Sequence, residues 1–283
     1  MHIILGGTGH IGSALAEALI AKGEKVTIIS RNQSKREEWE QKGAEFAVVD
    51  IFDEQALRQT FNLGERLFLL NPPAAPSTDT VAQEKKSLAA ILKALKGSKI
   101  KKVVAESTYG AQSGDDIGDL GVLYSMEQAL AEMEVPVSII RGAYYMSNWA
   151  ASLDMVKKTG QLHTLYPADF ELPMVAPKDI GQFAARLMLE AVAQTGLHHV
   201  EGPKEYSPGD VADAFAELLN KPVEVVQTPK SQWFASLQEI GFSEKAAQSM
   251  VAMTQITLDQ HKKIEDPIRG QTTLKEFISE LVR

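Results

Sequence analysis

The chain contains 283 residues, of which 44% are hydrophobic and 23% are charged, and its formal net charge at pH 7 is −8. This length and composition allow one large globular domain or one domain with a smaller lobe, and the negative charge disfavours a general nucleic-acid-binding surface. The lack of cysteine excludes disulfides and zinc–thiolate sites and fits a cytoplasmic protein, and no apolar run approaches the roughly 20 residues that a membrane span needs.

Strand and helix patterns alternate through the first half of the chain. A short apolar strand opens at His2, and a helix follows over Ser13–Ile20. Further strands are predicted at Lys25–Ser30, Glu45–Asp50, Arg66–Leu70, Lys102–Ala105 and Val137–Arg141, with helices at Ser34–Gly43, Asp53–Phe61, Val81–Lys96 and Val122–Glu134. Strands that are apolar nearly throughout are buried on both faces, as in a parallel sheet between helix layers. The alternation therefore predicts an α/β fold with a doubly wound parallel Rossmann sheet.

The pattern changes after Gly142, where aromatic residues become frequent. Helices are predicted at Asp179–Ala193, Ser207–Leu219, Ser231–Ile240, Glu244–Leu258 and Thr273–Leu281, and strands at His198–Glu201 and Val223–Val226. We expect a Rossmann domain over residues 1–145, joined by part of 175–202, and a smaller, discontinuous C-terminal lobe over residues 146–283. A substrate is expected in the cleft between them, outside the carboxyl ends of the strands.

Glycines at positions 6, 9 and 12 separate the first strand from the first helix. In a dinucleotide-binding turn, the first glycine permits the tight bend, the second lets a pyrophosphate approach, and the third lets helix and strand pack closely. Free amides at the helix start then bind the phosphates. The sequence therefore predicts that Gly6, Gly9 and Gly12 bind a dinucleotide together with Thr8, His10 and Ile11. The alternative is a structural turn with incidental glycines.

The end of the second strand indicates which dinucleotide is bound. Folds that bind NAD usually place a carboxylate there to accept from the ribose 2′-hydroxyl. This chain instead has Arg31 and Asn32 after the strand, with Lys35 one turn later. A guanidinium can bind a 2′-phosphate through two parallel hydrogen bonds, so the pattern predicts NADP(H). The alternative is that these basic residues form a solvated start of the next helix.

Residues after the next three strands complete the predicted cofactor site. Asp50 ends the third strand, where it could accept from the adenine amino group or cap the following turn. Asn71 and Pro72 end the fourth strand and are expected beneath the ribose and nicotinamide. Ser107 and Thr108 follow the fifth strand and are expected beside the nicotinamide ring.

Four stretches of the chain together resemble the NmrA-like group of atypical short-chain dehydrogenase/reductases. The glycine turn over residues 6–12 looks like that family's Gly-x-x-Gly-x-x-Gly sequence, and residues 30–32 look like its NADP-selecting strand end. Residues 135–148 and 172–180 resemble its entry into the substrate lobe and its later strand-to-helix passage. The resemblance implies a Rossmann domain, NADP(H) binding and a small C-terminal lobe. It does not fix an activity, because some family members sense the cofactor without turning it over.

The proton donor of typical short-chain dehydrogenases is missing from this sequence. Those enzymes use Tyr-x-x-x-Lys, in which the lysine lowers the pKa of the tyrosine. None of the six tyrosines is followed four residues later by lysine. Tyr124 is a weak catalytic candidate on the appropriate helix, but it is followed by Gln128. Keto–alcohol chemistry and sugar-nucleotide epimerisation are therefore disfavoured, and hydride transfer from NADPH to a quinone-like or other conjugated small molecule is favoured.

Five side chains between positions 109 and 174 are candidates for binding a flat acceptor. They are Tyr109, Tyr144, Tyr145, Trp149 and Met174. Aromatic rings can stack on such a molecule, although residues at a lobe boundary also commonly form its core.

Two questions about partners and function stay open in the sequence. The six histidines show no metal-binding spacing with carboxylates, so no metal site is predicted. The alternative to a reductase is a non-enzymatic NADP(H)-binding redox sensor that changes its contacts with a regulatory protein partner. A homodimer is a further open expectation.

Overall fold

The computed structural model describes residues 1–260 and 263–283, and His261, one of the six histidines considered for a metal site, lies outside them. The strands are β1 (His2–Leu5), β2 (Val26–Ser30), β3 (Glu45–Val48), β4 (Arg66–Leu69), β5 (Lys102–Thr108), β6 (Val137–Gly142), β7 (Tyr144–Tyr145), β8 (Gln161–Thr164), β9 (Leu172–Val175), β10 (Gly196–Glu201), β11 (Glu205–Tyr206), β12 (Glu224–Gln227) and β13 (Ile268–Arg269).

The helices follow the predicted positions closely. They are α1 (His10–Ile20), α2 (Arg36–Gln41), α3 (Glu54–Phe61), α4 (Thr80–Leu95), α5 (Asp119–Ala131), α6 (Leu153–Thr159), α7 (Pro177–Leu189), α8 (Pro208–Leu219), α9 (Trp233–Glu239), α10 (Glu244–Asp259) and α11 (Leu274–Val282). None of the helices in the described ranges is long and apolar enough to cross a bilayer.

Side-chain caps fix several helix starts. The Asp53 carboxylate accepts from the Ala56 amide at 2.9 Å at the start of α3. Ser207 and Thr273 cap α8 and α11, and in each case the third helical residue bonds back to the cap amide. These reciprocal bonds satisfy amides that the first helical turn leaves free.

The central sheet has the predicted parallel, doubly wound form. Within the described residues it contains eight strands in the order β13-β10-β6-β5-β4-β1-β2-β3, and every pairing in it is parallel. The strand order reverses between β1 and β4. In open α/β sheets, ligands bind in the crevice at such a reversal, outside the carboxyl ends of the strands.

Helices cover both faces of this sheet. On one face, a core formed with α1, α2 and α7 includes Leu15, Trp39 and Met188. On the other face, the core formed with α3, α4 and α5 includes Phe61 and Ile91. Burial of apolar surface of this extent is the main favourable contribution to folding.

A close helix contact joins the two halves of the chain. A Cβ placed on Gly181 of α7 would lie 2.6 Å from the Ile11 carbonyl oxygen and 2.8 Å from the Ala14 Cβ. Only glycine permits this approach. Helix α7 therefore packs directly against the first turns of α1.

The second half forms a smaller lobe but also extends the main sheet. Strands β7, β9 and β11 form one small sheet, and β8 pairs with β12. The lobe has its own core, which includes Trp149, Met174 and Phe215. The predicted strand at His198–Glu201 joins the main sheet beside β6 as β10. Beyond β10, the sheet is extended by β13, which was not predicted because two residues show no periodicity.

Several short elements (α6, β7, β8, β9 and β11) were not predicted, and β5 is longer than predicted. The apolar pattern predicts that this strand ends at Ala105, whereas it continues to Thr108. Glu106 and Ser107 interrupt the apolar run, yet they are only 4% and 0% exposed. Their polar groups form hydrogen bonds within the protein, which makes their burial tolerable.

Candidate functional site

The glycine turn joins β1 to α1 at the reversal of the strand order. Gly6 has a φ of +74°, which favours glycine, and its carbonyl accepts from the Gly9 amide at 3.0 Å. A Cβ on Gly12 would overlap the Gly6 carbonyl oxygen and lie 2.7 Å from the Gly7 Cα. The turn therefore has almost no freedom to change shape around Gly12.

The first turn of α1 has the features of an anion-binding site. Gly9 is its N-cap, no side chain caps it, and it has no acidic residue. His10 is exposed, whereas Ile11 is 5% exposed and belongs to the core. The helix therefore offers free amides and the positive end of its dipole to a ligand.

The end of β2 places one unpaired guanidinium near this turn. Within the two described ranges, Arg31 forms no ion pair and its side chain is exposed. Thr8 Oγ1 and Ser30 Oγ lie 3.4 Å apart, which brings the turn and the strand end together. Lys35 bonds to Glu38 at 3.0 Å, so its cation is already partly neutralised.

The side chains of four further predicted cofactor residues form hydrogen bonds to other groups of the protein. Asn32 and Asp50 accept from the backbone amides two residues later, at 2.9 and 3.0 Å. The Asn71 side chain donates to the Glu84 carbonyl at 3.2 Å and accepts from Ser87. The Ser107 hydroxyl donates to Glu127 at 2.6 Å. These side chains hold the strand ends in place, and their direct cofactor contacts stay predictions.

Pro72 and Thr108 lie at the carboxyl ends of neighbouring strands β4 and β5. Both are half-buried, and the Thr108 hydroxyl donates to the Tyr109 carbonyl at 3.3 Å. Their predicted place beside the cofactor therefore coincides with the edge of the sheet where a ligand would lie.

A buried carboxyl lies under the same edge, at Glu106 of β5. Its Oε1 accepts from the Tyr145 hydroxyl at 2.8 Å, and its Oε2 has no hydrogen-bond partner among residues 1–260 and 263–283. Burial raises the pKa of Glu106 well above the usual value, and the Tyr145 bond opposes that rise. Removal from water disfavours the charged form of this carboxyl and so favours the protonated one.

A second carboxyl group lies beside the loop that follows β4. Glu84 of α4 is 6% exposed, and its Oε1 accepts from the Ala74 amide at 2.9 Å. Burial, followed by the nearby Asp119 carboxyl, raises the pKa of Glu84 to about 8. Neither carboxyl is paired with a cation in the described part of the chain.

The raised pKa of Glu84 predicts how stability depends on pH. The usual pKa of a glutamate is 4.5, and the pKa of Glu84 in the folded protein is about 8. Between these pH values the Glu84 carboxyl keeps its proton in the folded chain and loses it in the unfolded chain. The contribution of Glu84 to the free energy of unfolding therefore falls as the pH rises through this range. We expect Glu84→Gln to gain stability relative to the original protein on going from about pH 5 to about pH 8. Denaturant unfolding at both pH values measures this change, with the exposed Glu37→Gln as the control; equal pH dependence in the two variants would contradict it.

Two ion-pair clusters lie near the carboxyl ends of β5, β6 and β10. Arg141 binds both oxygens of Glu127, with bonds of 2.9 and 2.6 Å. The Tyr109 hydroxyl donates to Glu201 at 2.9 Å, and Arg269 pairs with the same carboxylate. These networks hold the strand ends rigidly, and Tyr109 is one of the predicted substrate-binding residues that they orient.

The structure places the other predicted catalytic and substrate residues in three environments. Tyr124 lines a surface hollow of about 330 Å³, together with Lys85, Ser113 and Gln128. Trp149 and Met174 are 4% and 0% exposed within the lobe core. Tyr144 packs against Trp149 and Tyr166, whereas Tyr145 is half-buried beside Glu106. Their roles stay predictions, and Tyr145 is the one placed against a buried acid.

Helix α10 closes the outer side of the cleft. The Ser243 amide donates to the Pro76 carbonyl at 2.9 Å, and its hydroxyl donates to the Thr78 carbonyl at 2.6 Å. A Cβ on Gly118 would lie 3.5 Å from the Met253 sulfur. The lobe thus contacts the loops that follow both β4 and β5.

The family model of the NmrA-like family matches residues 2–279. The chain belongs to the NmrA-like family.

A group of three or more histidine, cysteine, aspartate or glutamate residues that could hold a metal ion is absent from the residues that the structure describes.

Three similar proteins show what this NmrA-like chain resembles. An NAD(P)H azoreductase from Xenophilus azovorans is 20% identical over 88% of this chain and 85% of its own length. The nitrogen metabolite regulation-like protein bik4 from Gibberella fujikuroi is 25% identical over 92% of this chain and 78% of its own length. The crystal structure of an NADPH-dependent quinone oxidoreductase from Escherichia coli, complexed with NADPH, has a TM-score of 0.82, 21% identity and 100% coverage of both chains.

Sequence reasoning missed Glu84 and Glu106, two buried carboxyl groups whose pKa values are raised. A glutamate within an otherwise apolar strand is a usable signal, because a strand buried on both faces rarely contains a charge. Position 106 shows that signal, whereas Glu84 looks like an ordinary residue of a polar helix face.

Proposed function

We propose that this NmrA-like protein is an NADPH-dependent reductase that transfers hydride to a quinone-like or other conjugated small-molecule acceptor. The observation that carries the proposal is the unpaired guanidinium of Arg31, which directly follows the strand end at Ser30, 3.4 Å from Thr8 of the glycine turn, together with the uncapped, acid-free first turn of α1. Phosphates bind at such helix starts, and a guanidinium suits a 2′-phosphate. The azoreductase and the quinone oxidoreductase support the same cofactor and reaction class.

The residues present fit this cofactor. The Gly9 position leaves room at the turn, since a Cβ there would meet nothing closer than the Gly6 oxygen at 3.4 Å. In the proposal, the amides of residues 10–12 hold the diphosphate and Arg31 holds the 2′-phosphate. The nicotinamide lies by Pro72 and Thr108, where it supplies the hydride when NADPH is bound.

The proposed acceptor class follows from the chemistry that the chain lacks. No tyrosine is followed four residues later by lysine, so the usual donor to a carbonyl oxygen is missing. Conjugated acceptors spread the incoming negative charge over many atoms, and their reduction depends mostly on orientation next to the nicotinamide. Tyr109 and Tyr145, half-buried at the strand ends, are the rings proposed to orient such a molecule.

Turnover with a defined acceptor tests this function. We expect the purified protein to oxidise NADPH in the presence of benzoquinone at a rate well above that of the uncatalysed mixture, and to prefer NADPH to NADH. Loss of nicotinamide absorbance measures the rate, and heat-unfolded protein is the control. No turnover with benzoquinone, an azo dye or a cationic acceptor would overturn the reductase assignment.

A non-enzymatic redox sensor is the second candidate, and one relative favours it. The regulation-like protein bik4 matches as much of the chain as the azoreductase does, with 25% identity over 92% of this chain. A sensor must bind oxidised and reduced cofactor with different affinities, because only differential binding shifts a conformational equilibrium. Calorimetric titration with NADP⁺ and NADPH distinguishes the roles: equal affinities would exclude the sensor.

A further inference from the structure

We propose that Tyr145 and Glu106 form a proton-donating pair, in which Tyr145 protonates the reduced acceptor and Glu106 returns a proton to Tyr145. The inference rests on the proposed reductase function and names the proton source that this function needs. Tyr145 is the donor that would touch the acceptor, and Glu106 is a positioning residue that acts through it.

Hydride transfer to a quinone leaves one proton to be supplied. A quinone that accepts a hydride, with its two electrons, becomes a hydroquinone monoanion, and one proton on oxygen completes the reduction. General acids positioned at such an oxygen typically contribute about 10²- to 10⁴-fold in rate. Because the Tyr-x-x-x-Lys pair is missing, a different acid would have to supply any such acceleration.

Tyr145 lies at the edge of the sheet where the acceptor is expected. It ends β7, three residues beyond the carboxyl end of β6, and Gly142 of β6 is in register with Thr108 of β5. Its half-buried ring packs against the same core as Leu70, and a Cβ on Gly6 of the glycine turn would lie 3.3 Å from the Leu70 side chain. Tyr145 therefore borders the crevice that begins at the glycine turn.

Glu106 is held so that it can exchange a proton with Tyr145. The two oxygens are 2.8 Å apart, and a Cβ on Gly142 would lie 2.8 Å from Glu106 Oε1 and 2.9 Å from the Tyr145 ring. The absence of a side chain at Gly142 thus leaves the space that the pair occupies. The remaining oxygen, Oε2, has no partner within the described residues, so Oε1 is the oxygen through which the carboxyl exchanges a proton with Tyr145.

The protonation state of Glu106 decides whether the pair can work. A neutral carboxyl both accepts and donates, whereas a carboxylate only accepts. Burial raises the pKa of Glu106, which favours the protonated carboxyl that the proposed exchange requires. Burial, with Glu106 and Asp119 nearby, also raises the pKa of Tyr145, which makes the tyrosine alone a poor acid. A proton from the Glu106 carboxyl, passed to the Tyr145 oxygen, offsets the weak acidity of the tyrosine.

The ionisable groups that act on the pair are all carboxyls. The groups that act on Tyr145 are Glu106 and Asp119, and Asp119 in turn is bonded to Glu84 of α4. On the α7 side the neighbour of Glu106 is the apolar Ile180, whose Cδ1 would lie 3.0 Å from a Cβ on Gly142. Among the described residues, no cation pairs with Glu106.

The complete step conserves protons and charge. The Tyr145 O–H bond breaks as a new O–H bond forms on the hydroquinone monoanion, which leaves a tyrosinate. The Glu106 O–H bond then breaks and Tyr145 regains its proton, which leaves the Glu106 carboxylate. Solvent reprotonates Glu106 after the product leaves. NADPH supplies both electrons as hydride, and no other reductant is required.

Two acceptors that differ in their need for a proton test the pair. Benzoquinone needs hydride and a proton, whereas the N-methylacridinium cation becomes a neutral product by hydride alone. We expect Glu106→Gln and Tyr145→Phe to lower kcat with benzoquinone by about tenfold or more, with N-methylacridinium turnover changed less than about twofold. Tyr206→Phe, which removes a buried hydroxyl bonded to the Leu274 amide in the lobe, is the matched control.

The pH profile and the infrared spectrum provide readouts that a structural role would not change. With benzoquinone, kcat of the original protein should fall as the pH rises through the raised pKa of Glu106, and Glu106→Gln should lose that fall. The infrared carbonyl band of buried, protonated carboxylic acids in the cofactor-free protein should lose the contribution of one group in Glu106→Gln, while the contribution of Glu84 stays. The glutamine keeps Oε1 as the acceptor for Tyr145, so the variant is expected to fold.

Failure of the pair and failure of the proposed function give different results. Equal slowing with both acceptors, or an unchanged rate with benzoquinone, would overturn the pair while leaving the reductase intact. An original protein that reduces neither acceptor would overturn the reductase and the pair together. A carboxylic acid band that is the same in the original protein and in Glu106→Gln would show that Glu106 is ionised, which also contradicts the pair.

Discussion

Replacing Arg31 with alanine is expected to weaken NADPH binding by about 10- to 100-fold and to change NADH binding by less than about twofold. Hydrogen bonds to charged groups contribute roughly 1.5–3 kcal/mol, and each 1.4 kcal/mol is about a tenfold change in affinity. The effect is specific because Arg31 forms no ion pair in the described part of the chain, so its loss removes only a ligand contact. Fluorescence titration with both cofactors measures it.

Arg36→Ala provides a matched control for this measurement. Arg36 has the same charge and is exposed, but its guanidinium lies 3.5 Å from Glu40 and over the Phe46 ring. Its replacement should leave the preference for NADPH over NADH unchanged. An unaltered NADPH dissociation constant in the Arg31 variant, or an equal loss in both variants, would contradict the assignment of Arg31 to the 2′-phosphate.

Replacing Gly12 with alanine is expected to destabilise the fold and to abolish binding of NADPH and NADH alike. The new Cβ would overlap the Gly6 carbonyl oxygen and lie 2.7 Å from the Gly7 Cα. Both contacts are with backbone, so relief requires a shift of the whole turn. Overpacking of this kind typically costs about 1–3 kcal/mol. Denaturant unfolding and cofactor titration measure the two effects.

Gly9→Ala separates the two consequences of crowding this turn. Gly9 has a φ of −84°, which any residue adopts, and its Cβ would lie 3.4 Å from the nearest atom. We therefore expect unfolding to be unchanged and cofactor binding to be lost, because the methyl group would lie where the diphosphate approaches. Normal stability and normal binding in Gly12→Ala would show that the turn is not the cofactor site.

The amino-acid sequence is most informative about the fold where a side-chain pattern is local. Strands β1 to β6 are predictable because buried parallel strands are apolar throughout, and the caps Asp53, Ser207 and Thr273 are predictable from their residue types. The addition of β13 to the main sheet was not predicted, because a two-residue strand depends on a distant partner in β10. The continuation of β5 past Ala105 depends likewise on bonds to α5 and β7.

The candidate site is predictable from the sequence only in its cofactor half. Glycine spacing and a missing carboxylate are features of the sequence itself, so Gly12 and Arg31 can be chosen from the order of residues alone. The proton-donating role proposed for Tyr145 depends instead on its bond to Glu106, which is 39 residues away in the chain. The burial that raises the pKa of Glu106 is likewise a property of the packed sheet and not of its neighbours in sequence.

A crystal structure of the protein with NADPH bound tests the central claim most directly. The account predicts that the diphosphate lies on the amides at the start of α1, that the Arg31 guanidinium contacts the 2′-phosphate, and that the nicotinamide lies at the edge of the sheet bordered by Tyr145. An empty crevice in crystals grown at saturating NADPH, or a 2′-phosphate with Arg31 turned away into solvent, would contradict it.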